Sequence, residues 1–265
     1  MRVDVTRSGD AIPVDGQLLS TYVINERLAI DAGVLGTMVA ATLQNSVSDV
    51  FLSHCHMDHV ASLPFFLEQR DLTAHAAPTI HAHPFCNAAL HKHFFNDTIW
   101  PDFERIEREE GLHFCRFNDL VPNETVSCNA IQITPISLSH TVPTFGFVVR
   151  DSSTAVAFVS DTEYDRTWVE TLNGIPDLSA VFLECTFPNR LQWLAEKSKH
   201  MTPRDTVRFV RQWTGALPRI IINHSKPHVL VEVCEELEMS LSGTFEMVRT
   251  GQHYHFTGVP DQEDA

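Results

Sequence analysis

The chain has 265 residues, is 43% apolar and carries a formal net charge of −15 from 34 acidic and 19 basic side chains. That length and apolar share allow a substantial buried core. The charge works against a long polyanion as partner, because such binding rests mostly on neutralising phosphates; a small anion stays open, since bound dications can dominate the charge of a site. No stretch approaches 18 uninterrupted apolar residues, and Met1–Arg7 lacks the apolar core of a signal peptide. No membrane span and a cytoplasmic location are therefore expected. The six cysteines show no CxxC spacing and read as thiols in a reducing compartment.

Taken in chain order, β-branched or alternating runs predict strands over 19–24, 28–31, 50–53, 131–138, 145–149, 155–160, 180–184 and 220–223. Helical patterns fall over 34–43, 61–72, 165–172, 190–197, 203–213 and 229–240. Thr202-Pro203-Arg204-Asp205 reads as a helix start, with a hydroxyl cap, a first-turn proline and an acid near the positive end. The acidic tail 261–265 is expected to fray. No repeat or linker interrupts the pattern, which predicts two sheets faced by helices with a site at the strand ends.

The strand over 50–53 runs into Ser53-His54-Cys55-His56-Met57-Asp58-His59. Imidazole nitrogen and carboxylate oxygen are ligands for zinc and related divalent metals. Alternation along a strand end lets His54 and His56 face one ion and turns Cys55 away, while Asp58 and His59 face a second as the chain turns. His140, Asp161 and His224 each end a strand pattern in the same way, and a carboxylate such as Asp161 can bridge two cations. Asp31 and Glu184 also end strands, where either could fix a ligating imidazole. The HxH pairs His81/His83 and His91/His93 lack an adjoining Asp-His and read as surface or supporting residues. No GxSxG elbow or phosphate-cradling glycine loop occurs.

These residues resemble the metallo-β-lactamase superfamily, with its HxHxDH motif and distant His, Asp and His. More narrowly, the chain resembles class II 3′,5′-cyclic-nucleotide phosphodiesterases. The motif continued through Val60-Ala61-Ser62-Leu63 carries this, with Phe95-Asn96-Asp97-Thr98-Ile99-Trp100-Pro101-Asp102-Phe103, Leu183–Asn189, His200-Met201-Thr202-Pro203 and Asn223–Pro227. Met57 stands where that family usually has leucine. The resemblance implies one α+β domain over 1–265, a four-layer αβ/βα sandwich with an inserted segment around 84–110. It implies two divalent metal ions, most readily Zn²⁺: one on His54, His56 and His140, one on Asp58, His59 and His224, with Asp161 between.

The implied reaction is hydrolysis of cAMP or cGMP to the 5′-nucleotide by a metal-bridging hydroxide. Asp58 would orient that hydroxide, and His200 would contact phosphate or protonate the leaving oxygen. Phe95, Trp100 and Phe103 could stack on the base or pack the inserted region. The substrate is then a small cyclic nucleotide rather than a long nucleic acid, and the family suggests a homodimer. Rival readings are a tRNA 3′-processing endonuclease, a lactone or thioester hydrolase, and a metal-dependent nucleotide sensor without turnover.

Overall fold

Apolar residues that alternate between two buried faces dictate the architecture, because each face must find a different partner. The computed structural model describes residues 1–8, 17–38 and 41–257; the tail 261–265 lies outside the described residues. One sheet holds β1 (Arg2–Val5), β2 (Tyr22–Ile24), β3 (Leu28–Ile30), β4 (Asp49–Phe51), β5 (Thr79–Ala82) and β6 (Arg116–Asp119). The other holds β7 (Val126–Cys128), β8 (Ile131–Leu138), β9 (Thr144–Arg150), β10 (Ala155–Val159), β11 (Leu178–Glu184), β12 (Arg219–Asn223) and β13 (Phe245–Met247). The chain then returns as β14 (His253–His255) to the first sheet. The spatial orders are β14-β1-β2-β3-β4-β5-β6 and β13-β12-β11-β10-β9-β8-β7.

Strand β10 shows why two sheets pack between helices. Val156 and Phe158 join Phe51, Phe147, Phe182 and Ile221 in the core between the sheets. Ala155, Ala157 and Val159, pointing the other way, pack with Trp168, Phe209, Val233 and Leu237. Those last four come from α7 (Arg166–Asn173), α9 (Pro203–Gln212) and α10 (Leu230–Leu241), which cover the second sheet. On the outer face of the first sheet, Val50 and Ile80 pack against Leu35, Val60, Leu63, Phe66 and Leu90. The helices there include α1 (Leu35–Met38), α2 (Ala41–Ser46), α3 (Met57–Val60), α4 (Leu63–Glu68), α5 (Pro84–His93) and α6 (Phe103–Glu110); α8 (Gln192–Ser198) lies between β11 and α9 in sequence. The four layers are thus helix, sheet, sheet, helix.

Most expected elements form, with informative shifts. The strand expected over 19–24 starts only at Tyr22, because the Ser20 backbone turns aside: its N–H donates to Asp58 O (2.8 Å) and its carbonyl accepts from Gly33 N (2.9 Å). The helix expected over 61–72 shortens to α4 (six residues), which opens on Ser62 with Pro64 in its first turn. The pattern over 34–43 resolves into α1 and α2, with residues 39 and 40 outside the described set. Helix α9 starts where expected, with Thr202 N and Oγ1 both donating to Asp205 Oδ2 (3.2 and 2.9 Å). In each sheet the strands that lead into the candidate residues point the same way: β3 and β4 are parallel, as are β10, β11 and β12. Their ends therefore open onto one edge of the sandwich.

Candidate metal centre

Local hydrogen bonding shapes the motif. After β4, the Ser53 N–H and hydroxyl donate to Asp31 Oδ1 and Oδ2 (2.8 and 3.0 Å), so the carboxylate that ends β3 fixes the start of the loop. His56 is the N-cap of α3, whose first turn holds Asp58 and His59. Their carbonyls are fastened from behind, Asp58 O by Ser20 N (2.8 Å) and His59 O by Ala32 N (2.7 Å). Gly33 makes this possible, because a Cβ there would stand 2.4 Å from Asp58 O. On the other sheet, His140 follows β8, Asp161 follows β10 and His224 follows β12. His224 has φ +58°, a left-handed conformation costly for a non-glycine residue and typical of functional sites.

The side chains converge in two groups. His54 Nε2 and His140 Nε2 approach His56 Nδ1 at 3.0 and 3.3 Å, and both face Asp161 Oδ2 at 3.7 and 3.8 Å. His59 Nε2 and His224 Nε2 each face Asp161 Oδ1 at 3.4 Å. Asp58 Oδ2 lies 3.2 Å from His224 Nε2 and 4.0 Å from His59 Nε2. Within each group the donor atoms lie inside 4.8 Å of one another, and Asp161 belongs to both through different oxygens. His59 Nε2 and Asp161 Oδ1 are buried with no hydrogen-bond partner, an arrangement a cation between them would satisfy.

Proton bookkeeping supports the same fit. Ser53 Oγ spends its proton on Asp31, so its oxygen accepts from His54 Nδ1 (3.0 Å). Thr186 Oγ1 donates to Glu184 Oε2 (2.6 Å) and so accepts from His224 Nδ1 (3.0 Å). His59 Nδ1 donates to Asp31 Oδ2 (2.6 Å) and His140 Nδ1 to Lys199 O (2.9 Å). Assigned from this network, all four imidazoles carry a proton on Nδ1 and turn Nε2 inward. Imidazole and carboxylate donors so arranged suit divalent metals.

The electrostatics differ between the groups. Burial lowers the pKa of His54, His56 and His140 and keeps them neutral, as ligation requires. Burial also opposes the charge on His59, yet the Asp161 and Asp31 carboxylates outweigh it and raise its pKa well above the usual range. Asp161 and Asp58 are held below the ordinary carboxylate range despite burial, chiefly by their histidine neighbours.

His200 sits at the rim, its ring 5.0 Å from that of His140 and 5.5 Å from that of His224. Its Nδ1 donates to Glu184 Oε1 (2.9 Å), so Glu184 meets His200 directly and His224 only through Thr186, whereas Asp31 meets His59 itself. Of the two readings open for Phe95 and Phe103, packing is the one the structure bears out, and the surface reading of His81 is corrected. Phe95 and Phe103 are buried core residues beneath the first sheet's helices and cannot offer faces to a base; only half-buried Trp100 stays accessible, packed edge-on against Phe65 (5.1 Å). His81 is not a surface residue: it is buried and bonded to Asp49, away from the motif. Of its companions, His83 caps α5 by accepting from Phe85 N (3.0 Å), while His91 and His93 stay outside both groups. Cys55 turns into the layer beneath, and none of the six cysteines forms a disulfide.

Sequence reasoning missed Ser53, Thr186 and Lys226. The Lys226 ammonium reaches Asp58 Oδ2 at 3.4 Å. Its signals were its place two residues after a candidate ligand and inside the Asn223–Pro227 block that carries the resemblance.

This fold is the metallo-β-lactamase fold. The protein of that fold called YhfI from Bacillus subtilis superposes with a TM-score of 0.70 at 18% identity, covering 96% of this chain and 99% of that one. Unliganded yeast PDE1 superposes with a TM-score of 0.76 at 16% identity, covering 95% and 98%. At sequence level the family described as cAMP phosphodiesterases class-II matches residues 37–233, and the chain belongs to that family. The 3′,5′-cyclic-nucleotide phosphodiesterase 1 of Saccharomyces cerevisiae is 27% identical over 170 residues, 54% of this chain and 44% of that protein. The match thus spans less than half the length of that curated relative.

Proposed function

We propose that this protein hydrolyses 3′,5′-cyclic nucleotides, cAMP ahead of cGMP, to 5′-nucleotides with two divalent metal ions, most readily zinc. The observation that carries the reading is Asp161, whose two oxygens face two separate groups of donors. His54, His56 and His140 would hold one ion and Asp58, His59 and His224 the other. Bound there, the ions would neutralise the phosphoryl oxygens and lower the pKa of a water between them. Family membership and the name of the budding-yeast relative support the substrate class.

The chain's own groups supply the rest. Asp58, half-buried and tethered by Lys226 and His224, holds its carboxylate at the cleft where an attacking water must be oriented. His200 gives one proton to Glu184 and keeps Nε2 on the opposite side of the ring, free to protonate the departing 3′ oxygen. Burial disfavours its charged form, but Glu184 and Asp161 outweigh that and raise its pKa, which favours a proton donor near neutral pH. Trp100, on the segment around 84–110 that we read as a family-specific insertion into one domain, packs over α4 beside the motif and can flank the nucleotide.

The reading extends to a cytoplasmic homodimer. Six cysteines with no disulfide fit a reducing compartment. The test is purified protein of measured metal content, assayed against cAMP, cGMP, bis-phosphodiesters, lactones and precursor tRNA. Turnover of the cyclic nucleotides alone supports the reading; preferred cleavage of any other class overturns it. Size-exclusion chromatography with light scattering decides the dimer.

A further inference from the structure

At the far end of β4 from the motif, Asp49, His81 and Cys128 bring a carboxylate, an imidazole and a thiol within 4.8 Å of one another. Asp49 opens β4, His81 lies in β5 and Cys128 ends β7, so the group joins two inner strands of the first sheet to the edge strand of the second. Phe51 lies opposite His81 in the parallel ladder, and the pleat turns Asp49, Phe51 and His81 to the same inter-sheet face. The His81 ring stacks flat on Phe51 at 4.2 Å and 6°, which fixes its orientation. Its Nε2 lies 2.9 Å from Asp49 Oδ1 and its Nδ1 3.0 Å from the Asn118 amide. Asp49, Cys128 and Ser48 also line a cavity of about 380 Å³.

We infer that Asp49, His81 and Cys128 form a third metal site, for one zinc-like divalent cation with its fourth position open to that cavity. A mixed nitrogen, oxygen and sulfur set with three protein ligands is zinc chemistry. Asn118 supplies the support such a histidine needs: with the amide turned, its oxygen accepts from Nδ1–H and leaves the Nε2 lone pair facing Asp49 and Cys128. On binding, the ring proton shifts from Nε2 to Nδ1, where the turned amide oxygen accepts it, and the Cys128 proton leaves to solvent as the thiolate forms. Without a cation, burial and the Asp49 carboxylate push this thiol up to about 12, so it stays protonated. The site shares no residue with the other centre.

The alternative is a hydrogen-bonded clasp between the sheets that never binds metal. Cobalt(II) loading of the full chain separates the two, because the dinuclear candidates offer only nitrogen and oxygen. A sulfur-to-cobalt charge-transfer band therefore reports Cys128, and Cys55→Ser should leave it in place. We expect the band, and one metal equivalent retained through dialysis beyond those lost in Asp161→Ala, with one proton released from the thiol per ion. Cys128→Ser should lose both band and equivalent while phosphodiesterase turnover stays unchanged; His81→Asn gives the same readout should that variant fail to fold. Absence of the band in cobalt-loaded protein, or its persistence in Cys128→Ser, overturns the site. The band does not depend on turnover, so this test stands apart from the proposed activity.

Discussion

The two donor groups that share Asp161 are built from similar side chains but are backed differently. His54 and His140 lean on neutral acceptors, the Ser53 hydroxyl and the Lys199 carbonyl, and His56 completes a group of three uncharged rings. The other group contains a carboxylate, Asp58, and its His59 leans on a second one, Asp31. Counting Asp161 as shared, the Asp58 side offers a dication more negative charge. The lesson is that the site is asymmetric: the Asp58 side is the stronger electrostatic trap, and it depends on the close backbone packing of Gly33 and Ser20. The His54 side depends mainly on ring placement.

Losing the carboxylate that the two groups share should have the greatest consequence. Replacing Asp161 with alanine should reduce metal occupancy on both sides and abolish turnover, read by metal analysis alongside an assay. Full activity in a demonstrably metal-depleted Asp161→Ala protein would contradict the assignment.

Next in size is His200, which lies outside both groups. His200→Ala should keep both metals yet lose about 10²–10⁴-fold in kcat, the range for a positioned acid. The sign of its pH dependence follows from its raised pKa: the protonated, donating form persists above the usual histidine range, and kcat falls as pH rises through that value. The alkaline fall should vanish in the variant. Unchanged kcat with metals bound would reduce His200 to a residue that precedes α9.

A smaller effect sharpens the asymmetry. Asp31→Asn keeps the shape but removes the charge behind His59, and should weaken the metal on the Asp58 side by about 10–100-fold. Titration with a chelator should then strip one equivalent well before the other. Simultaneous loss of both would show that the backing carboxylate does not discriminate between the groups.

How much of this was legible depends on sequence distance. His54 to His59 could be read directly because one strand end and one helical turn bring them together. His140, Asp161 and His224 were visible because each follows an apolar strand run, and strand ends in parallel alignment share one edge. His81 was misread because an HxH pair looks alike on a surface strand and a buried one, and its partner Asp49 lies 32 residues away. Phe95 and Phe103 stayed open between stacking and packing for a similar reason: their burial comes from packing among Cys115, Leu90 and the helices, which no local pattern encodes. Strands such as β6, Arg-Phe-Asn-Asp, escaped notice because a short, mostly polar edge gives no alternation to read. The hydroxyl contacts of Ser53 and Thr186 carry no periodic signal, though they set which nitrogen His54 and His224 turn inward.

The most direct test of the central claim is the product formed from cAMP by protein shown to contain its metals. Chromatography should find 5′-AMP without 3′-AMP, because a nucleophile that Asp58 would place opposite a leaving oxygen that His200 would protonate breaks the 3′ bond. Predominant 3′-AMP would contradict that arrangement, and failure of the metal-replete protein to cleave either cAMP or cGMP would contradict the function.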